Sequence, residues 1–277
     1  MESDPLRRNN VNVTGRTDAR NTLLFVNGLG ADQTIWSQVV PAFARDWRIV
    51  LFDHVGSVDS NFEDFRARQS HYLNASGYAE DLLQIVAALG LPQPPVAVGH
   101  SIGGLALLLA SVRQAEAFAR LVLIGTSPRY LDAAGYRGGF TTADIHATYA
   151  ALDGDYPAWV SAFSRAALGE SSPPNLAERF AGTMGRVPKE LMLTIVCSVL
   201  QTDHRAALPL VRVPVLIAQS SADYFVPRET ADYLHAQIPG SRMAIIDAIG
   251  HLPHLTAPEA LVDGIRAFVE AGEGLAC

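Results

Sequence analysis

The 277-residue sequence predicts an α/β protein: a doubly wound, mostly parallel sheet with a helical insertion between two of its strands. Three observations carry that prediction. Short apolar runs with strand character alternate with helix-like segments over both ends of the chain. The alternation stops between about residues 126 and 212, where helical segments follow one another. A serine stands between two glycines at a strand-to-helix junction, in Gly99-His100-Ser101-Ile102-Gly103.

In chain order the strand-like runs are 22–26 (TLLFV), 48–52 (RIVLF), 95–98 (PVAV), 121–124 (LVLI), 213–219 (VPVLIAQ) and 243–246 (MAII). Between them lie an amphipathic helix over 75–89, a helix over 104–114 that is apolar in its first turns, and helices starting at 228 and about 257. The insertion carries helical segments at 142–152, 156–168, 175–184 and 188–201, punctuated by Pro157, Pro173, Pro174 and Pro188. The chain therefore divides into a core over 1–126, a helical cap over 127–208 and a second part of the core over 209–277. By its placement the cap covers Ser101, excluding water and enclosing an apolar pocket. Trp159, Phe163, Leu193, Ile195 and Val199 either line that pocket or form the core of the cap itself.

The glycines around Ser101 have a chemical reason. A serine hydroxyl is presented for attack only on a sharp, strained turn, where bulky neighbours would collide; Gly99 and Gly103 remove those side chains. The helix that follows directs its positive end at the site. A lone serine is inert at neutral pH, so this turn predicts an acid and then a histidine downstream. Asp223 follows the 213–219 run, and His251 follows the 243–246 run in Asp247-Ala248-Ile249-Gly250-His251. Parallel strands deliver such distant residues to one edge of the sheet. Asp247 and His254 compete for the two roles and rank second, because a Gly-His pair suits a loop tip that must approach Ser101.

Acyl transfer also needs donors for the developing oxyanion. The backbone N–H of Ile102, next after the serine, supplies one. The loop Asn27-Gly28-Leu29-Gly30, directly after the 22–26 run, supplies the other through Leu29 N–H.

Composition frames the chemistry. With 49% hydrophobic residues the chain can bury a large core, and a net charge of −7 argues against nucleic acid or an anionic membrane as partner. Cys197 and Cys277 make no disulfide framework, and the eight histidines show no zinc-ligand spacing, so neither a metal nor a cofactor is expected. The first residues lack an apolar leader and no run is long enough to span a bilayer, which points to the cytoplasm.

These motifs resemble the α/β-hydrolase superfamily over essentially the whole chain. A narrower resemblance lies in Ser127-Pro128-Arg129-Tyr130-Leu131, Gly138-Gly139-Phe140, Thr202-Asp203-His204-Arg205, Tyr233-Leu234-His235 and Gly250-His251-Leu252-Pro253-His254. They are similar to the RsbQ-like stress-signalling hydrolases of bacteria and their plant relatives, the karrikin and strigolactone receptor hydrolases. The resemblance implies an α/β-hydrolase fold with a V-shaped four-helix cap and a Ser101, Asp223, His251 triad. It implies a compact pocket on which Tyr130, Phe140, Trp159 and Phe163 lie, with Phe225 adding bulk, and small esters or lactones such as butenolides as substrates. Leu29 stands where the plant relatives carry an aromatic, Asn27 replaces the usual histidine, and Val58 interrupts a Gly-x-Gly after the second strand.

Three functions are then open: a serine hydrolase working through an acyl-enzyme on a small, mostly apolar ester or lactone; a signalling module that hydrolyses or senses a small ligand and engages a protein partner; or a carbon–carbon hydrolase or cofactor-free perhydrolase. The serine argues against a haloalkane dehalogenase, which needs a carboxylate nucleophile.

Overall fold

The computed structural model describes residues 4–169 and 172–271; Cys277 and the first three residues lie outside the described residues. The sheet comprises β1 (Asn12–Gly15), β2 (Thr22–Val26), β3 (Arg48–Leu51), β4 (Val96–His100), β5 (Arg120–Ile124), β6 (Val215–Ala222) and β7 (Arg242–Ile249), in spatial order β1-β3-β2-β4-β5-β6-β7. Every pairing is parallel except β1 with β3. β2 and β4 are buried along their whole length, as strands covered on both faces must be, which explains their uninterrupted apolar runs. The edge strand β1 has no such run, and no strand is predicted there from sequence; its pairing with β3, Asn12 opposite Leu51, makes it a strand.

From β2 the chain steps outward to β3, and from β4 it proceeds the other way through β5, β6 and β7. Right-handed crossovers in opposite directions place helices on both faces and leave a crevice at the carboxyl ends of β2 and β4. There Val26 pairs with Gly99, so the loop after β2 and the turn after β4 begin side by side.

The longer helices are α1 (Ala75–Leu89), α2 (Ile102–Arg113), α3 (Thr142–Gly154), α4 (Tyr156–Leu168), α5 (Pro174–Met184), α6 (Lys189–Leu200), α7 (Arg228–Gln237) and α8 (Pro258–Glu270). Between β5 and β6 lie α3 to α6. Their starts are written locally: Thr141 and Asp144 form a reciprocal capping box for α3, and Asp155 caps α4 with Pro157 in its first turn. α4 packs on α5, and α3 packs on both α4 and α6. No described helix is long and apolar enough to cross a membrane.

One buried polar cluster ties the first residues of the chain to α1. Arg8 Nη2 donates to Asp81 Oδ1 at 2.9 Å and to Gln84 at 2.6 Å, and Tyr72 donates to Asp81 Oδ2 at 2.9 Å. With both charges out of water, the pair holds only because each is met by further hydrogen bonds.

Candidate active site

β4 ends at His100 and α2 begins at Ile102, so Ser101 alone makes the turn. Its backbone sits at φ +54° and ψ −122°, a region that costs a side-chain-bearing residue about 1–3 kcal/mol. Two hydrogen bonds hold it there: Ser101 N–H donates to Ile124 O at 2.8 Å, and Ser101 O accepts from Leu105 N at 3.1 Å. The flanking glycines are required by contact. A Cβ on Gly103 would enter the carbonyl of Asn27, and one on Gly99 would lie 2.6 Å from Leu107 Cδ1 and 2.7 Å from Gly104 Cα.

β6 runs three residues beyond its predicted end, so Asp223 directly follows the strand. Its Oδ1 accepts from the N–H groups of Phe225 and Val226 at 2.8 and 3.1 Å, and its Oδ2 from Gln219 Nε2 at 3.3 Å and His251 Nδ1 at 2.8 Å. β7 likewise extends to Ile249, which places Asp247 within the strand and exposed; His251 pairs with Asp223. Gly250, at φ +94°, turns the chain after β7 and donates to Ala222 O at 2.7 Å. The His251 main chain is then held from two sides: its N–H donates to Ala167 O of α4 at 2.6 Å, and its carbonyl lies 2.8 Å from His100 Nε2. His254 is fully buried between Trp36 and His100, with ring centroids 4.8 and 4.7 Å away, and burial lowers its pKa to about 3. It is a neutral packing residue.

Ser101 Oγ shares a hydrogen bond of 3.2 Å with Tyr130 OH, and the serine, His251 and Asp223 face one cavity of about 690 Å³. Leu29 and Phe225 line it from loops of the core, Tyr130 and Phe140 from the segment that leads into the cap helices, and Trp159, Phe163 and Val199 from those helices. The rings form a continuous wall: Trp159 to Phe163 at 5.2 Å, Phe163 stacked on Phe225 at 4.7 Å, and Phe225 edge-on to His251 at 5.5 Å between centroids. Of the two other apolar residues that the sequence left open between this lining and the core of the cap, Ile195 borders a separate void of about 30 Å³ together with Ile102, and Leu193 faces an outer groove. Leu193 and Val199 are six positions apart on α6, so they occupy different faces of it.

Ile102 opens α2, and the first N–H groups of a helix have no partner within it. Leu29 comes from the loop after β2, whose first residue is locked by a set of bonds that sequence reading missed. Asn27, fully buried, donates from Nδ2 to Phe52 O at 3.0 Å and accepts at Oδ1 from Trp36 Nε1 at 2.8 Å. Its backbone carbonyl lies 3.0 Å from His54 Nε2. Burial lowers the pKa of His54 to about 4, so its ring is neutral and donates one hydrogen there. The available signal was Asn27 itself, a polar residue at the end of an apolar strand. Among the described residues no group of acidic, histidine and cysteine side chains is arranged to hold a metal.

A family model for the alpha/beta hydrolase fold matches residues 21–258. The strigolactone esterase D14 of Arabidopsis thaliana is 36% identical over 260 residues, spanning 93% of this chain and 94% of its own. The strigolactone esterase RMS3 of Pisum sativum is 38% identical over 256 residues, spanning 91% and 93%. Among solved structures, a hydrolase from Oleispira antarctica superposes with a TM-score of 0.91 at 28% identity, covering 96% of both chains. With a seven-stranded sheet of this order and a family match over most of its length, the chain belongs to the α/β-hydrolase family.

Proposed function

We propose that this α/β-hydrolase is a serine hydrolase that cleaves a small, mostly apolar ester or lactone, of the butenolide kind, through an acyl-enzyme on Ser101. The observation that carries the reading is the 2.8 Å bond from Asp223 to His251 Nδ1, in the same cavity as a serine held on a strained turn. With Nδ1 engaged, His251 has Nε2 left to accept the Ser101 proton as Oγ attacks the carbonyl carbon. The same proton then passes to the departing alcohol or enolate oxygen. A water molecule, deprotonated by His251, releases the acid and restores the serine. Leu29 and Ile102 N–H groups receive the oxyanion, where one donor is worth about a hundredfold to a thousandfold in turnover. The aromatic wall favours apolar acyl groups, and no step calls for a metal or cofactor. The strigolactone esterases at 36–38% identity support the ester class.

The test is hydrolysis of short 4-nitrophenyl esters and a synthetic butenolide by the purified protein, with labelling by a fluorophosphonate read by intact mass. A single adduct mapped to Ser101 supports the reading; an adduct on another residue, or turnover retained by Ser101→Ala, refutes it.

One observation favours a second, signalling use of the same site. The His251 N–H is bonded to Ala167 O of α4, so the loop that carries His251 is tied by its backbone to the insertion. Ligand-dependent retention of a protein partner from the native cell, kept by the wild type and lost when Ser101 is blocked, distinguishes signalling from metabolism.

A further inference from the structure

The cavity holds a second polar group aimed at the reacting atoms. Tyr130 is 4% exposed, and its hydroxyl has one hydrogen-bond partner among the described residues, Ser101 Oγ at 3.2 Å. Its main chain is fixed by Phe140 N–H, which donates to Tyr130 O at 3.1 Å, and by the close passage of Gly138, where a Cβ would overlap the Tyr130 carbonyl. The phenol therefore cannot swing away from the serine with its loop. Burial raises its pKa far above the working range, so it is a permanent donor.

Acylation changes what that donor meets. Once Oγ carries an acyl group it is an ester oxygen, a poor acceptor. Asp223, whose charge acts on Tyr130, already accepts from Phe225 N, Val226 N, Gln219 and His251. The Tyr130 ring itself packs on Phe140, edge-on at 6.3 Å between centroids. A buried hydroxyl stripped of its acceptor is costly, and a site built to bond a substrate oxygen discriminates against the analogue lacking it. The alcohol leaves after the first step and the carbonyl oxygen is turned to the backbone donors, so among the substrate's own groups only the acyl chain can offer an acceptor throughout both steps.

Resting on the serine-hydrolase reading above, we propose that Tyr130 is a specificity-determining residue whose phenol donates to an oxygen in the acyl chain close to the scissile carbonyl. The substrate class narrows accordingly: acyl groups bearing an alkoxy, keto or ring oxygen beside the reacting carbon, in preference to plain hydrocarbon acyl groups of the same shape.

The experiment uses two esters of equal shape, 4-nitrophenyl methoxyacetate and 4-nitrophenyl butyrate, which differ by one oxygen in place of one methylene. For each, kcat/KM is measured with the wild type and with Tyr130→Phe, which keeps the ring. The quantity read is the methoxyacetate-to-butyrate ratio, in which the intrinsic reactivity of the esters cancels between the two proteins. Tyr130→Phe should lower that ratio about tenfold. A ratio that changes by less than twofold, or rises, overturns the assignment. Fluorophosphonate labelling of Ser101 in both proteins separates the two levels: labelling and turnover with an unchanged ratio refute the role of Tyr130 alone. No label and no turnover in the wild type refute the hydrolase reading and this one together. As a second variant, Phe140→Leu alters the same wall without touching the phenol; a ratio change there equal to that of Tyr130→Phe would assign the effect to packing and overturn the proposal.

Discussion

Asp223 Oδ2 stands 2.8 Å from His251 Nδ1 although 28 residues separate them, and both side chains are almost wholly buried. The contact is made because β6 and β7 are parallel neighbours and both chains turn at their carboxyl ends. It favours the tautomer with hydrogen on Nδ1 and leaves Nε2 free for the base role proposed above. Asp223→Asn, which keeps the shape and inverts the donor pattern, should lower kcat by about ten-thousandfold on a 4-nitrophenyl ester. Asp247→Asn, on the exposed side of β7, should change it by less than about twofold. The reverse order of effects would transfer the acid role to Asp247.

Ser101→Ala and His251→Ala should each remove about ten-thousandfold or more of turnover, and the double variant should be little worse than either single one, because the two groups act as a unit. Steady-state kinetics on all three proteins decide this. Additive losses would show that the residues work independently.

Asn27 converts the end of β2 into a fixed platform for Leu29. Asn27→Ala strips Trp36 Nε1 and the Phe52 carbonyl of their partners in a buried setting, at about 1–3 kcal/mol for each group left unsatisfied. The melting temperature should fall by several degrees, and kcat should fall tenfold or more. Trp36→Phe, which removes the indole donor and keeps an aromatic ring, should produce a smaller effect of the same kind. Unchanged kcat in a destabilised Asn27→Ala protein would separate this residue from the proposed oxyanion donor at Leu29.

Acid should destabilise the fold through its buried imidazoles. Burial depresses the pKa of His54 to about 4 and of His254 to about 3, from 6.5 in the unfolded chain. Between those values the unfolded chain binds more protons than the folded one, so stability is complete above about pH 6.5 and declines as pH falls toward 4 and then 3. Each such group contributes a slope of up to about 1.4 kcal/mol per pH unit within its window. Calorimetry from pH 7.5 down to 4.5 should show a falling melting temperature, and His254→Leu should flatten the decline. A melting temperature that stays level between pH 7 and 5 would contradict the burial of both rings.

The strand–turn–helix around Ser101, the parallel core with its helical insertion, and the chain order Ser101, Asp223, His251 are all legible in the amino-acid sequence. Those features are local: glycines where side chains would collide, uninterrupted apolar runs where a strand is covered on both faces, capping residues where a helix begins. Only the tertiary structure separates Asp223, bonded to His251, from Asp247, since both follow or end an apolar run and the true length of β7 turns Asp247 to solvent. It alone assigned Val199 to the cavity and Leu193 to an outer groove, because which side of α6 is inward depends on what packs against it. The edge strand β1, the lock of Trp36, Phe52 and His54 on Asn27, and the meeting of Tyr130 OH with Ser101 Oγ were likewise invisible in one dimension. Their physical reason is shared. Partners tens of residues apart are chosen by how strands and helices stack, and no periodicity or spacing along the chain encodes which side chains that stacking brings into hydrogen-bonding distance.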